Sequence, residues 1–211
     1  MPYLMILIVV ATLAIVFWAA AQASKRAAQN IRELAEMLGL QADLRPPSLG
    51  LFYSEPRASG QWRGKALEIF SYSTGSGKSR VQWCAVSAAV RVDAGLRFTL
   101  QQQGFGTKVM ELFGAHEIQV GDEDFDRRWF IQTNQPDFFR AALLPELRAK
   151  ISALATDSST RGLKLQLEDG QVRYAEQGSF ANARIAGRVG QAAEVVADLA
   201  DVAEVFAAAR K

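Results

Sequence analysis

The sequence contains a single cysteine, Cys84, and a single histidine, His116, among its 211 residues. An intrachain disulfide therefore cannot form, which agrees with a reducing compartment. The chain also lacks an excess of either charge, because 24 basic residues are balanced by 22 acidic ones. Since nucleic-acid binding usually requires a clearly basic surface, we expect no nucleic-acid partner. Hydrophobic residues at 49% and charged residues at 22% are typical of a folded domain.

No charged side chain precedes Lys25. Residues 3–21 form an apolar run that, as a helix, would span roughly 28 Å, close to the thickness of bilayer hydrocarbon. Tyr3 and Trp18 lie near its two ends, where amphipathic rings prefer the interface. The run predicts a transmembrane anchor, with the lipid bilayer as the partner of residues 3–21. The side chains assigned to this segment are Tyr3, Leu4, Ile6, Ile8, Val9, Val10, Leu13, Ile15, Val16, Phe17 and Trp18.

Two alternatives compete with the anchor. A cleaved signal peptide is suggested by the small residues at 21–23, but no lysine or arginine precedes the run, and the run is longer than a usual signal core. A buried core helix is rarely apolar all round over this length. Lys25, Arg26 and Arg32 follow the run, so the positive-inside rule places the rest of the chain in the cytoplasm. We therefore predict a single-pass protein of the bacterial inner membrane.

The residues after the anchor alternate between helix and strand patterns. Residues 24–39 predict a helix continuous with the anchor and ending at Gly39. Its apolar face could lie on the bilayer surface or dock on the domain, and the acids on its polar side favour docking. Prolines within 41–58 indicate a linker or an extended edge. A short helix or turn is predicted at 107–113 and a loop at 158–162. Strands are predicted at 58–62, 65–73, 80–92, 96–101, 117–120, 128–133, 163–167 and 172–174.

Two helical regions are predicted in the second half of the chain. The first begins with Asn134 as its cap and Pro136 in its first turn, and Pro145 kinks or restarts it. The second covers 181–209 and packs over the sheet, or alternatively forms a homodimer through a coiled coil. Its apolar stripe consists of Ile185, Val189, Ala192, Val196, Leu199, Ala203 and Phe206. Asp169-Gly170 suits the type I′ turn of a β-hairpin.

These elements predict an α+β fold. Antiparallel β-hairpins pack with a kinked helix and a long C-terminal helix, and one N-terminal transmembrane helix precedes them. The predicted organisation is a transmembrane anchor at 1–23, a juxtamembrane helix and proline-containing linker at 24–57, and a single soluble domain at 58–211.

A glycine-rich segment at 75–79, GSGKS, resembles the end of a phosphate-binding loop. The first glycine of such a loop would fall at position 72, which is Tyr72, and the residues that follow are strand-like rather than helical. We interpret the segment as a flexible hairpin turn. Lys78 and Arg80 remain candidates for a weak contact with an anion or a lipid headgroup.

Acidic residues at 122–126 resemble the start of a calcium loop. The glycine and the bidentate glutamate that such a loop requires are replaced by Arg127 and Thr133. We therefore interpret the acidic segment as a solvated turn or a loose divalent site.

His116 and Cys84 have no metal-ligand spacing, and a structural or surface role is predicted for the histidine. We predict no metal, no cofactor and no catalytic residue.

Three tryptophans have an arginine nearby, and such pairs can stack on single-stranded nucleic acid. They are Trp62 with Arg63, Trp83 with Arg80, and Trp129 with Arg128. Each tryptophan belongs to a strand pattern, which favours packing in or against the core.

Four short strings resemble a group of uncharacterised bacterial membrane-anchored proteins. The strings are QWRGK at 61–65, YSTGSGKSR at 72–80, GD at 121–122 followed by FDR at 125–127, and LLPE at 143–146. The resemblance covers roughly residues 35–205. Because no activity is assigned to that group, it implies an intact domain but no catalytic or binding residue.

The sequence favours a non-enzymatic module that binds a partner protein or recruits it to the membrane. One alternative is a membrane-surface hydrolase with a site built from scattered acids. Another is a domain that binds a lipid or small ligand between sheet and helices. A deep polar pocket would indicate the enzyme, a large apolar cavity the ligand-binding domain, and a flat exposed apolar patch the recruitment module.

Overall fold

The N-terminal apolar run and the residues after it form one continuous helix. The structure, a computed structural model, describes residues 2–45, 55–91, 95–103, 116–155 and 162–209. Helix α1 extends from Pro2 to Leu38, about 55 Å, and is long and apolar enough to cross a membrane. The predicted transmembrane side chains are exposed, and the Thr12 hydroxyl donates to the Ile8 carbonyl oxygen at 2.8 Å. The predicted continuity of this helix with the apolar run is confirmed.

The second half of α1 packs into the core. Ala28, Ile31 and Leu34 are buried, and the last two belong to the same apolar cluster as the sheet. The Asn30 side-chain amide donates to the Phe180 carbonyl oxygen at 2.6 Å, which ties the helix to a loop of the domain. The predicted docking on the domain is therefore confirmed. The proposed domain boundaries stay predictions.

All nine described strands form one antiparallel sheet. In chain order they are β1 (Gln41–Asp43), β2 (Arg57–Trp62), β3 (Lys65–Thr74), β4 (Val81–Ala89), β5 (Phe98–Gln102), β6 (His116–Ile118), β7 (Trp129–Thr133), β8 (Lys164–Glu168) and β9 (Gln171–Gln177). Their order across the sheet is β1-β2-β3-β4-β9-β8-β5-β7-β6. The predicted strands are found within a few residues of their expected bounds, and β1 is the extended edge.

Two predicted turns have the required backbone. Asp169 and Gly170 both have positive φ, 51° and 70°, as a type I′ turn needs. At the tip between β3 and β4, Gly75 and Gly77 also have positive φ. A Cβ on Gly75 would collide with the Ser79 carbonyl oxygen, so only glycine fits there.

Four further helices complete the α+β fold. They are α2 (Glu123–Arg128), α3 (Pro136–Ala142), α4 (Pro145–Leu154) and α5 (Ala183–Ala208). Pro145 begins a new helix, which confirms the predicted restart. The apolar stripe of α5 is buried against the sheet inside the chain. A homodimer through this helix stays a prediction, but it would need residues other than that stripe.

Two local predictions were wrong. The acidic segment is helix α2 rather than a turn, because the Asp122 side chain accepts from Phe125 N–H and caps it. Asn134 does not cap α3. Its side chain instead accepts from Arg97 N–H at 2.8 Å and donates to the Gly95 carbonyl oxygen at 2.7 Å, and Gln135 occupies the cap position.

All five described helices lie on one face of the sheet. Alternating residues of β3, β4 and β9 point to that layer, including Ile69, Val86 and Tyr174, which are buried. No described helix packs on the opposite side, here named the second face. The predicted helix or turn at 107–113, the loop at 158–161 and the prolines at 46–47 fall outside the described residues.

Candidate functional site

An aromatic cluster with one arginine lies on the second face. Phe70 and Tyr72 alternate along β3, and Trp83 pairs with Tyr72 across to β4. The Tyr72 and Trp83 rings stack with centroids 6.2 Å apart and planes 9° apart. The Arg173 guanidinium lies 5.5 Å from the Phe70 centroid and 6.0 Å from that of Tyr72. All four side chains are half-buried, so the cluster combines a fixed apolar surface with a positive charge.

The cluster is fixed by its own contacts. The Trp83 indole N–H donates to the Thr74 hydroxyl at 2.8 Å, which holds the ring across the β3–β4 pair. Burial raises the pKa of the Tyr72 hydroxyl, and the positive charge of Arg173 offsets part of that effect. Tyr72 is therefore a neutral hydrogen-bonding group at physiological pH. Such an arrangement can bind an aromatic, polar or anionic group.

A cleft of about 320 Å³ lies between α1 and the β3–β4 hairpin. Ala23, Ser24 and Ala27 form its α1 wall, directly after the apolar run. Hydroxyl and amide groups of β3, β4 and the β9–α5 loop line most of the rest, together with Glu55, Pro56, Arg80 and Phe180. Tyr72 borders both this cleft and a second one of about 480 Å³ that extends over the second face to Arg173. Tyr72 is therefore a common border of the two clefts.

The two predicted anion-contact residues lie at the hairpin tip. Lys78 is in a short 3₁₀ helix at Gly77–Ser79, and Arg80 follows it. Both are exposed, and neither forms an ion pair with any residue in the described part of the chain. The turn is confirmed, while the anion contact stays a prediction.

The other candidate motifs are used within the fold. The Asp126 carboxylate accepts from Val120 N–H and Gly121 N–H, and Asp122 pairs with Arg148 at 3.2 Å. Within the five described ranges, no group of three His, Cys, Asp or Glu side chains could hold a metal ion.

His116 and Cys84 are not brought together. His116 is exposed on an edge strand, and five strand spacings, about 24 Å, separate that strand from β4. Burial raises the pKa of the buried Cys84 thiol to about 12, with a further contribution from the charge of Glu176. The thiol is therefore unreactive at physiological pH.

The tryptophans do not share a surface. Trp129 is buried on the helix side, Trp62 packs against the core, and Trp83 lies on the second face. The predicted packing of each ring is confirmed.

Two charge clusters that the sequence analysis did not identify hold α5 on the sheet. Lys65, whose side chain is only 3% exposed, contacts Asp201 at 2.8 Å and Glu204 at 2.7 Å. Glu176 is fully buried and accepts two hydrogen bonds from Arg188 at 3.0 and 2.9 Å. Lys65 and Glu176 each lie on the inward side of their strand, on the same side as its buried apolar residues. The alternation of inward and outward positions along each strand is the sequence signal that could have identified them.

We expect Glu204→Gln to lower the free energy of unfolding by about 1–2 kcal/mol near neutral pH, because a charged hydrogen bond to Lys65 is weakened. Burial raises the pKa of Glu204, but the contacts with Lys65 and Arg91 outweigh it and lower the pKa below 4.5. The stabilisation is therefore present above pH 4.5 and lost as the pH falls through the folded-state pKa. Thermal unfolding of the solubilised full chain should show the difference from wild type disappearing in acid. A difference that stays constant with pH would contradict the assignment.

No protein-family model and no curated protein matches this chain. Among solved structures, the chain is similar to the crystal structure of the mycobacterial trehalose monomycolate transport factor A, TtfA. The TM-score is 0.51 at 13% sequence identity, over 83% of this chain and 93% of that one. The resemblance to uncharacterised membrane-anchored proteins stays a prediction. At this level of identity, the similarity to TtfA shows a common fold and no more.

Proposed function

We propose that the protein is a non-enzymatic binding module, anchored by α1 in the bacterial inner membrane, that recruits a partner protein to the cytoplasmic surface. The observation that carries this proposal is the cluster of Phe70, Tyr72, Trp83 and Arg173 on the second face. Tryptophan, tyrosine and arginine are the residues that most often dominate protein–protein binding energy. These side chains are already fixed by stacking, so little side-chain entropy would be lost on binding.

The position of the anchor also supports recruitment. Because the second half of α1 is part of the domain core, the second face has a fixed position relative to the anchor. A partner bound there would be held next to the bilayer. Lys25, Arg26 and Arg32 after the apolar run favour the cytoplasmic side.

The test is site-specific photocrosslinking in intact cells. A photoreactive phenylalanine analogue at Tyr72 should give one discrete adduct, whereas the same residue at Val205, which is exposed on α5, should give none.

The partner protein found in the adduct would then be purified and its affinity for this protein measured. Trp83→Ala should weaken its binding at least about 30-fold, as expected for a dominant contact of 2 kcal/mol or more.

Arg173→Gln provides a second variant that keeps the aromatic rings. It should also weaken binding, and thermal unfolding of both variants checks that the domain is intact. Equal adducts at Tyr72 and Val205, or an affinity unchanged by both substitutions, would contradict the proposal. An adduct to lipid alone would instead favour the ligand-binding alternative.

A further inference from the structure

Strand β3 runs towards the membrane end of α1. Near its start, Leu67 pairs with Gly60, and a Cβ on Gly60 would lie 3.2 Å from the Leu40 side chain just after α1. Near its end, Ser71 and Ser73 border the same cleft as Ala23 and Ala27 of α1. Six strand residues cover about 20 Å, and the thirteen helical residues from Ala27 to Leu40 cover the same length. The strand and the helix are therefore antiparallel over this stretch.

The hairpin tip consequently reaches the level at which the apolar run ends. Residues 74–80 continue past Ser73 by two or three strand residues, or about 7–10 Å. The same distance along α1 leads from Ala27 to residues 20–22, where the apolar run ends, about one helical turn from Trp18, which is predicted at the membrane interface. When α1 spans a bilayer, Lys78 and Arg80 lie at headgroup depth.

The cleft beneath the tip has the chemistry of a phosphate site. Arg80 lines it, and no described residue forms an ion pair with its guanidinium. Ser24, Ser71, Ser73 and Ser179 add hydroxyl groups around the same space. The acidic Glu55 also lines the cleft, and it contacts Arg57 at 3.7 Å, an arginine that also contacts Glu68 at 3.4 Å. Planar guanidinium groups bind phosphate oxygens in a bidentate manner, and hydroxyls can donate to the remaining oxygen atoms.

We infer that this cleft and the hairpin tip bind the phosphate headgroup of an anionic phospholipid, an inference that rests on the membrane anchoring proposed above. Arg80 binds the phosphate in the cleft, and Lys78 adds a positive charge at the tip. An anionic membrane surface also attracts Lys25 and Arg26, which are exposed on α1 at the same end. This second attachment stops the whole protein from turning about the α1 axis within the membrane, so that the second face keeps one orientation to the membrane.

The test uses the purified full-length chain reconstituted in phosphatidylcholine vesicles that contain a trace of spin-labelled lipid. Electron paramagnetic resonance measures how strongly the protein prefers spin-labelled phosphatidylglycerol over spin-labelled phosphatidylcholine. Arg80→Gln should lower that preference about fivefold and Lys78→Gln by a similar factor, as expected for a cation at an anionic surface. The preference should also fall with added salt.

Arg97→Gln is the matched control. Arg97 is exposed and precedes β5, whose first residue pairs with Leu167 at the end of the sheet away from the tip. The control removes the same charge, so an equal loss in Arg97→Gln and Arg80→Gln would overturn the inference, as would an unchanged preference in Arg80→Gln. Displacement of the lipid by excess glycerol phosphate would assign the cleft to a soluble phosphate compound instead. Since no other protein is present, the result is independent of the proposed partner.

Discussion

Arginines introduced at Val10 and Leu13 should release the protein from the membrane. These side chains are 59% and 64% exposed and contact no part of the domain core, so they face lipid if α1 spans a bilayer. Two arginines near the centre of a transmembrane helix disfavour insertion by about 5–7 kcal/mol in total. Wild-type protein should stay in the pellet after alkaline carbonate extraction of membranes, and the double variant should move to the supernatant.

Val10→Ala combined with Leu13→Ala is the control, because it shortens the same side chains without adding charge. This variant should stay with the membrane. A double-arginine variant that remains in the pellet, or wild-type protein that is itself extracted, would contradict the anchor. A mature chain beginning near Ser24 would show instead that the run is a cleaved signal peptide.

Local sequence patterns were sufficient to predict most elements of the fold. The uncharged run predicts α1, and the Asp169-Gly170 pair predicts the β8–β9 hairpin, since each signal depends only on neighbouring residues. The order of the strands could not be predicted in this way. The pairing of β4 with β9, and the position of β5 between β8 and β7, join distant segments through packing. Packing of this kind has no local signature.

The errors at Asn134 and at Asp122 have different causes. Asn134 has the right chemistry for a helix cap, but partners at Arg97 and Gly95, distant in sequence, use its side chain. Tertiary contacts therefore overrode a local preference. At Asp122 the local signal was present and was misinterpreted. An aspartate cap, acids in the first turn and arginines in the last predict a short helix by capping and dipole rules.

The candidate site was only partly predictable. Lys78 and Arg80 were identified at a turn, but their position beside α1 follows from the direction of β3 relative to the helix. The cluster around Arg173 combines residues of three strands, and β9 reaches β4 only in the folded sheet. Periodicity assigns each residue to a face of its own strand, but it does not determine which strands are neighbours.

Arg188→Met should destabilise the fold more than any surface substitution. Glu176 is fully buried, and Arg188 of α5 contacts the carboxylate twice through one oxygen. Removing the guanidinium leaves that negative charge in an apolar layer beside Tyr174, whose pKa is raised first by burial and second by the charge of Glu176. Breaking a buried pair in this way costs about 3–5 kcal/mol. The melting temperature of the solubilised full chain should fall by about 6–20 °C.

The double variant Glu176→Gln with Arg188→Met distinguishes the charge from the packing. If the loss comes from the carboxylate that has lost its guanidinium, the double variant should recover much of the stability, and the coupling energy of the cycle should be large. Lys150→Met provides the comparison, because Lys150 joins α4 to Glu194 and Asp198 of α5 where solvent reaches the pair. Exposed pairs contribute about 0–1 kcal/mol. Equal losses in Arg188→Met and Lys150→Met would mean that burial does not strengthen the Glu176–Arg188 contact. In that case the Glu176–Arg188 pair would hold α5 on the sheet no more strongly than an exposed pair does.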